Sequence, residues 1–297
     1  MSTARWRDAL ALILGPVLAV FATNAAFEQW GWPLLAADAP GLPHTVQARL
    51  RTAPPTDLLV MGSSVGVFGV SADRLASRTG GTVLNVSRHG ASAQATAMML
   101  PDVLRLSPKT VVVMISALEL RADQVPDWGR IYDPQIAWAL RSKLPQDPSA
   151  HLEGMLGWGS LLYRHREGVR GQIAERFGLK SARFLVGGGE PMEGLQAEFA
   201  AARLDGTGPN IAALMLMAER LGAADIQLVL CPTPVHPDVI GELFPAASQA
   251  ILAGFSVSVP AEALGDYTEA AFQDPIHLSQ TGRDQLTDRL ADWLAAN

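Results

Sequence analysis

Leu58, Leu59, Val60 and Met61 form a short apolar run that is closed at once by Gly62, Ser63 and Ser64. An apolar run of this length, ended by small residues, is the pattern of a strand buried on both faces of a parallel sheet. The first strand is therefore read as Asp57–Gly62, and similar runs recur at Thr82–Val86, Thr110–Ile115, Ile226–Cys231 and Val257–Val259. Helical stretches separate them: Ser71–Thr79, with Ser71 as cap and Asp73 in the first turn, then Ala93–Leu106, Asn210–Leu221, Pro245–Phe255 and Gln280–Ala296. Strand and helix in alternation predict an α/β fold, a doubly wound parallel sheet with helices on both faces.

In such sheets chemistry collects at the carboxyl ends of the strands. Gly62 lets the backbone bend there, and Ser63 and Ser64 supply hydroxyls, although Gly-Ser-Ser is also common in ordinary turns. The far end of the chain adds Phe272–Gly282, FQDPIHLSQTG, in which Asp274 stands three residues before His277. A serine nucleophile needs a base, and the base needs a carboxylate to hold its tautomer. An Asp-x-x-His turn carries both on one short loop.

On these residues the chain resembles the SGNH (GDSL-like) hydrolase superfamily. Gly62-Ser63-Ser64 stands at its first block, Gly-Asp-Ser, with Ser63 in place of the Asp, and Asp274–Leu278 stands at its last. The resemblance implies a three-layer, flavodoxin-like sheet over 57–297, interrupted by an insertion at 120–208. It also implies Ser64 as nucleophile, His277 as base and Asp274 as orienter. Asn85–Ser92 resembles the second block, which implies oxyanion donation by main-chain N–H groups: that of Ser64, and that of Ser87 or Gly90. The third block, Gly-x-Asn-Asp, meets Ser116-Ala117-Leu118-Glu119, so Leu118 replaces a side-chain oxyanion donor. Loss of one such donor costs a factor of ~100 or more where the donor operates. Arg88 and His89 are read as solvent-facing loop residues, with lining of the site as the rival reading.

Composition narrows the function. The formal net charge is -6 with no basic run, which argues against a nucleic-acid partner. Cys231 is the single cysteine, so there is no intramolecular disulfide, and its apolar surroundings in sequence read as a buried thiol. No paired-Cys or His-Glu-x-x-His pattern is present, His151 and His165 lack ligand spacing, and neither metal nor cofactor is expected. His236, in a Pro-rich loop after a strand, is either a structural loop residue or within reach of the site.

At the amino terminus, Arg5 and Arg7 precede the apolar stretch Ala9–Phe27, about nineteen residues and near the length that crosses a bilayer. A transmembrane anchor is expected there, with residues 1–8 cytoplasmic and the domain outside. A cleaved signal segment ending near Ala22–Ala26 and a buried helix are the rivals. Residues 28–56 read as a connector with a short helix at His44–Arg51, and Trp30 and Trp32 suit either an interfacial belt or packing on the domain. Within the insertion, Ser160–Phe177 reads as an amphipathic helix with Arg164, Arg166 and Arg170 on a solvated face.

An anchor joined to such a domain looks like the SGNH proteins of polysaccharide and cell-wall O-acylation. That resemblance implies an extracytoplasmic serine esterase or O-acyltransferase acting on a glycan, with a membrane acyltransferase as partner. The rival is a catalytically degraded SGNH-fold protein that binds glycan or scaffolds an acylation complex.

Overall fold

The structure is a computed structural model that describes residues 3–116, 132–142, 148–177, 208–238, 254–255 and 257–297, with side chains from residue 14 onward, those of 150, 261 and 262 excepted. Its strands are β1 (Leu58–Gly62), β2 (Val83–Asn85), β3 (Thr110–Ile115) and β4 (Gln227–Pro232). They form one parallel sheet in the order β2-β1-β3-β4, with Leu58 opposite both Val83 and Thr110 and Val111 opposite Leu228. Val257–Val259, expected as a strand, contributes a parallel bridge from Ser258 to Leu230. The sheet order, continued by that bridge, is the flavodoxin-like one.

The strands read as continuous apolar runs because both faces are covered. On one face Leu59, Met61, Val111, Val113 and Leu230 pack against α3 (Pro43–Thr52), α6 (Ala93–Ala97), α7 (Leu100–Leu106) and α12 (Pro209–Gly222). On the other, Leu58, Val60, Val112, Met114 and Cys231 meet α4 (Ser64–Gly69), α5 (Ala72–Thr79), α13 (Ala261–Leu264) and α14 (Gln280–Ala296), the last with Leu286 and Leu290 fully buried. Successive strand residues point to opposite faces, so each strand feeds both clusters. Burying one Leu or Val side chain contributes about 1.5–3 kcal/mol.

Cys231 is wholly buried, and burial pushes its thiol up to about 12. Ser71 caps α5 through Arg74 N, and Gly80 in the left-handed region ends it. The stretch Ala93–Leu106 is two helices rather than one, because Pro101 lacks the N–H and its ring blocks continuation from the turn before. Of the helix expected at Pro245–Phe255, all but its last two residues lie outside the described residues.

The amino-terminal segment forms α1 (Thr3–Ala26), which passes through Pro16 and continues by a π-turn at Phe27–Gly31 into α2 (Trp32–Ala36). Among the described residues no helix is long and apolar enough to cross a membrane. The two tryptophans part company: Trp30 is exposed, whereas Trp32 is buried between Phe27 and His165, ring centroids 5.1 and 5.0 Å away. The stretch read as a connector belongs to the core, since Val46 and Leu50 of α3 join the main cluster. Arg51 pairs with the buried Asp102 of α7 at 2.7 Å, and Arg105 donates to Leu50 O at 2.6 Å.

Among the described residues of 120–208 are α8 (Pro134–Leu140), α9 (Pro148–Gly159), α10 (Leu161–Arg164) and α11 (Arg166–Arg176). The single helix expected over Ser160–Phe177 is broken at His165. Arg166 and Arg170 are exposed as expected, but Arg164 is not on a solvated face. It is buried and donates to Gly157 O at 3.0 Å and Tyr132 O at 2.9 Å, carbonyls that its guanidinium satisfies from inside the insertion.

Candidate active site

β1 ends at Gly62 with φ +142°, and a Cβ there would lie 2.6 Å from Met114 O. Only glycine fits both the conformation and the space. The chain then turns at Ser63, whose hydroxyl accepts from Val65 N at 3.3 Å and caps α4. Ser64 is the first residue of that helix, so its hydroxyl stands at the carboxyl edge of the sheet and its N–H has no intrahelical acceptor. The turn after β2 is pressed against this helix. Arg88 N donates to Gly62 O at 2.8 Å, and a Cβ on Gly66 would lie 2.3 Å from Ser87 Oγ.

The loop before α14 is closed on itself. Gln273 N donates to His277 O at 3.0 Å, Ser279 N to Ala271 O at 2.8 Å, and Phe272 and Leu278 form an antiparallel bridge. Asp274 Oδ1 accepts from Ile276 N at 3.1 Å and His277 N at 2.9 Å, which fixes the carboxylate over its own turn. Its other oxygen, Oδ2, is then 2.8 Å from His277 Nδ1, and His277 Nε2 is 2.8 Å from Ser64 Oγ. An ionised carboxylate only accepts, so the ring proton sits on Nδ1 and Nε2 is left to accept from the serine hydroxyl. Burial pushes the Asp274 carboxyl up, but the hydrogen bond and charge of His277 and the two amides outweigh it and hold it below its usual range. Both side chains keep some contact with solvent, 18% exposed for Asp274 and 15% for His277.

The ring of Phe68, from α4, packs edge-on against His277 at 4.9 Å and lies tilted against His89 at 5.6 Å. Arg88 and His89 are therefore not solvent-facing. Arg88 is 1% exposed, and burial, with the charge of His277 as a second cause, lowers the pKa of His89. The turn is drawn inward by Arg88 N on Gly62 O and His89 N on Gly41 O, the latter 2.9 Å. Neither Phe68 nor Gly41 carries a sequence signal for this role.

The oxyanion candidates differ in state. The Ser87 N–H is engaged by Asn85 Oδ1 at 3.0 Å, while Asn85 Nδ2 donates to Gly66 O and Val70 O, both at 2.9 Å. Gly90 has φ +65° and is exposed. Leu118 and Glu119 lie outside the described residues. His236 supports the His277 loop: its N–H donates to Pro275 O at 3.0 Å and its ring packs on Phe272 at 5.3 Å. It also brings one ligand-type atom within 4.8 Å of those of Asp238 and Glu269, two exposed carboxylates. Sequence spacing gave no sign of that grouping, because Glu269 comes from a different loop.

No protein-family model matches the chain, and no curated protein matches it in sequence. Among the solved structures similar to it are two bacterial ones. One is assigned to a lipolytic protein of the G-D-S-L family from Desulfitobacterium hafniense DCB-2, with 13% identity over 79% of this chain and 97% of that one and a TM-score of 0.40. The other is assigned to a platelet activating factor from Streptococcus pneumonia, with 11% identity over 96% of this chain and 99% of that one and a TM-score of 0.39. The order of its strands is the flavodoxin-like one, and Ser64 and the Asp274–His277 loop meet at their carboxyl edge.

Proposed function

We propose that this protein is a serine esterase or O-acyltransferase that acts on acyl groups of a glycan through Ser64, His277 and Asp274. The observation that carries the reading is the unbroken chain of two 2.8 Å contacts from Ser64 Oγ through the imidazole to the Asp274 carboxylate. His277 Nε2 takes the hydroxyl proton as Ser64 Oγ attacks the ester carbonyl. Backbone N–H groups, that of Ser64 first among them, receive the negative charge of the tetrahedral intermediate. The intermediate collapses as His277 returns the proton to the departing alkoxide, leaving an acyl-serine. A water molecule or a sugar hydroxyl, deprotonated by the same Nε2, then attacks the acyl-serine. Water gives hydrolysis and the sugar gives transfer.

The glycan substrate, the anchored state and an extracytoplasmic setting rest on the sequence pattern: Arg5 and Arg7, then apolar Ala9–Phe27, then the domain. A membrane acyltransferase is the partner that would supply or share the acyl group. A second reading is favoured by Leu118 in place of the family's oxyanion Asn: a catalytically degraded protein that binds glycan or scaffolds an acylation complex.

A serine-directed fluorophosphonate, applied beside an acyl-ester turnover assay, separates the two. Labelling of wild type at Ser64, lost in Ser64→Ala and suppressed in His277→Ala, together with turnover, supports the enzyme. A folded wild-type protein that neither labels nor turns over ester at neutral pH leaves the scaffold reading.

A further inference from the structure

α9 carries a stripe of large apolar side chains on its outer face. Leu152, Met155 and Leu156, at helical spacing, are exposed, with Leu152 at 62% and Leu156 at 51%. Its opposite side is packed, Gly154 lying against the ring of Tyr132. α1 is exposed on every side from residue 14 to residue 23, and its apolar side chains include Leu14, Leu18 and Phe21, the last 69% exposed. A helix of a water-bathed domain turns such a stripe inward, and contiguous apolar surface of this kind marks an interaction site.

The two helices are joined. Asn24, near the end of α1, donates from Nδ2 to Gly159 O and accepts at Oδ1 from Leu161 N, both at 2.9 Å, so the carboxyl ends of α1 and α9 are fastened at one level. Phe21 and Trp158 line a shared cleft of about 450 Å³ at that junction, together with Glu28 and Arg51. Apolar, tryptophan and charged side chains thus meet at this junction, with Trp30 exposed at the same end of α1. Arg166, paired with Glu153 at 2.9 Å, flanks α9. An exposed apolar face fastened to the end of α1, with tryptophans and charged groups where the two meet, fits a bilayer interface continuous with α1.

We infer that α9 is a second membrane contact, lying in the bilayer interface beside α1. The inference rests on the reading of α1 as membrane-bound and goes beyond it. A domain attached only through one helix end swivels about it. One fastened through Asn24 and seated on α9 presents the Ser64 edge in a fixed orientation to the membrane. The site would then meet acyl donors or glycans delivered at the bilayer surface.

The single native thiol makes the test direct, because Cys231 is buried and resists alkylation. Full-length protein with Leu18→Cys, Leu156→Cys, Met155→Cys or Asp292→Cys is labelled with an environment-sensitive nitrobenzoxadiazole and reconstituted into phosphatidylethanolamine–phosphatidylglycerol vesicles, with and without doxyl-labelled lipid. Asp292, on α14, is the exposed control. Lipid-borne quencher should remove most of the emission at 18, 155 and 156 and leave 292 unchanged. Quenching at 18 alone overturns the inference while the anchor stands. No quenching at 18, 155 or 156 overturns both. A blue-shifted but unquenched label at 155 and 156 means that this face meets protein, a second copy of the chain, and overturns the inference as well.

Discussion

Phe68 and His277 meet edge to face, ring centroids 4.9 Å apart and planes at 61°. The same phenyl ring touches His89, so one side chain of α4 braces the imidazole that faces Ser64. Phe68→Ala removes that brace without touching the hydrogen bonds. It should lower kcat by about tenfold, the cost of roughly 1.4 kcal/mol in the placing of the base. KM should change little, because the ring holds the base rather than the acyl group. Steady-state kinetics beside a urea titration check this, and an unchanged kcat removes the positioning role.

Gly62 carries the turn that exposes Ser64. Gly62→Ala forces a β-carbon into a positive-φ position and to 2.6 Å from Met114 O. The backbone strain alone costs of order 1–3 kcal/mol, and the crowding adds to it. The denaturation midpoint should fall with the m-value unchanged. Activity should fall further than stability accounts for, since β1 must shift against β3 where Ser64 begins.

Much of this was legible in the sequence for a physical reason. The strands are buried on both faces, so their apolar runs have sharp edges, and β3 spans the Thr110–Ile115 expected of it. Asp274 and His277 were legible as a pair because a three-residue spacing holds both on one turn. What was not legible depends on contacts between distant segments. Arg88 and Arg164 look like surface charges in sequence, yet both are buried, Arg164 because Tyr132 and Gly157 offer it carbonyls. Asn85, read as part of the second block, takes up the Ser87 N–H and two carbonyls of the α4 region. Pro101 was visible, but the apolar pattern ran through it and hid the break between α6 and α7.

Asp274→Asn keeps the size of the side chain and removes its charge. The imidazole survives without an enforced tautomer, and in the serine-protease template the corresponding change costs ~10⁴ in kcat. Stability follows pH as well. The folded carboxyl is held below its usual value of 3.8, so its contribution is complete above pH 3.8 and is lost as pH falls through the lower folded value. The stability gap between wild type and Asp274→Asn should therefore be constant near neutrality and shrink on acidification below 3.8. A gap that persists unchanged into strong acid contradicts the assignment.

His165 makes the fold itself sensitive to mild acid. It is 2% exposed, stacked on Phe27 at 5.5 Å and edge-on to Trp32. Burial first, then the charges of Arg164, His44 and Arg51, lower its pKa from 6.5 to about 3. Between those values the unfolded chain binds a proton that the folded chain refuses. Stability from this group is complete above pH 6.5 and declines as pH falls toward 3, by up to about 1.4 kcal/mol per pH unit. The loss is focused where α1, α2 and α10 meet, so the amino-terminal helices should loosen first. His165→Phe keeps an aromatic ring between Phe27 and Trp32 and cannot titrate. Its unfolding free energy, measured by urea titration from pH 7 to pH 4, should fall less steeply than that of wild type, with the two closest in slope above pH 6.5. Equal slopes across the whole range would show that the buried imidazole accepts its proton in the folded state without penalty.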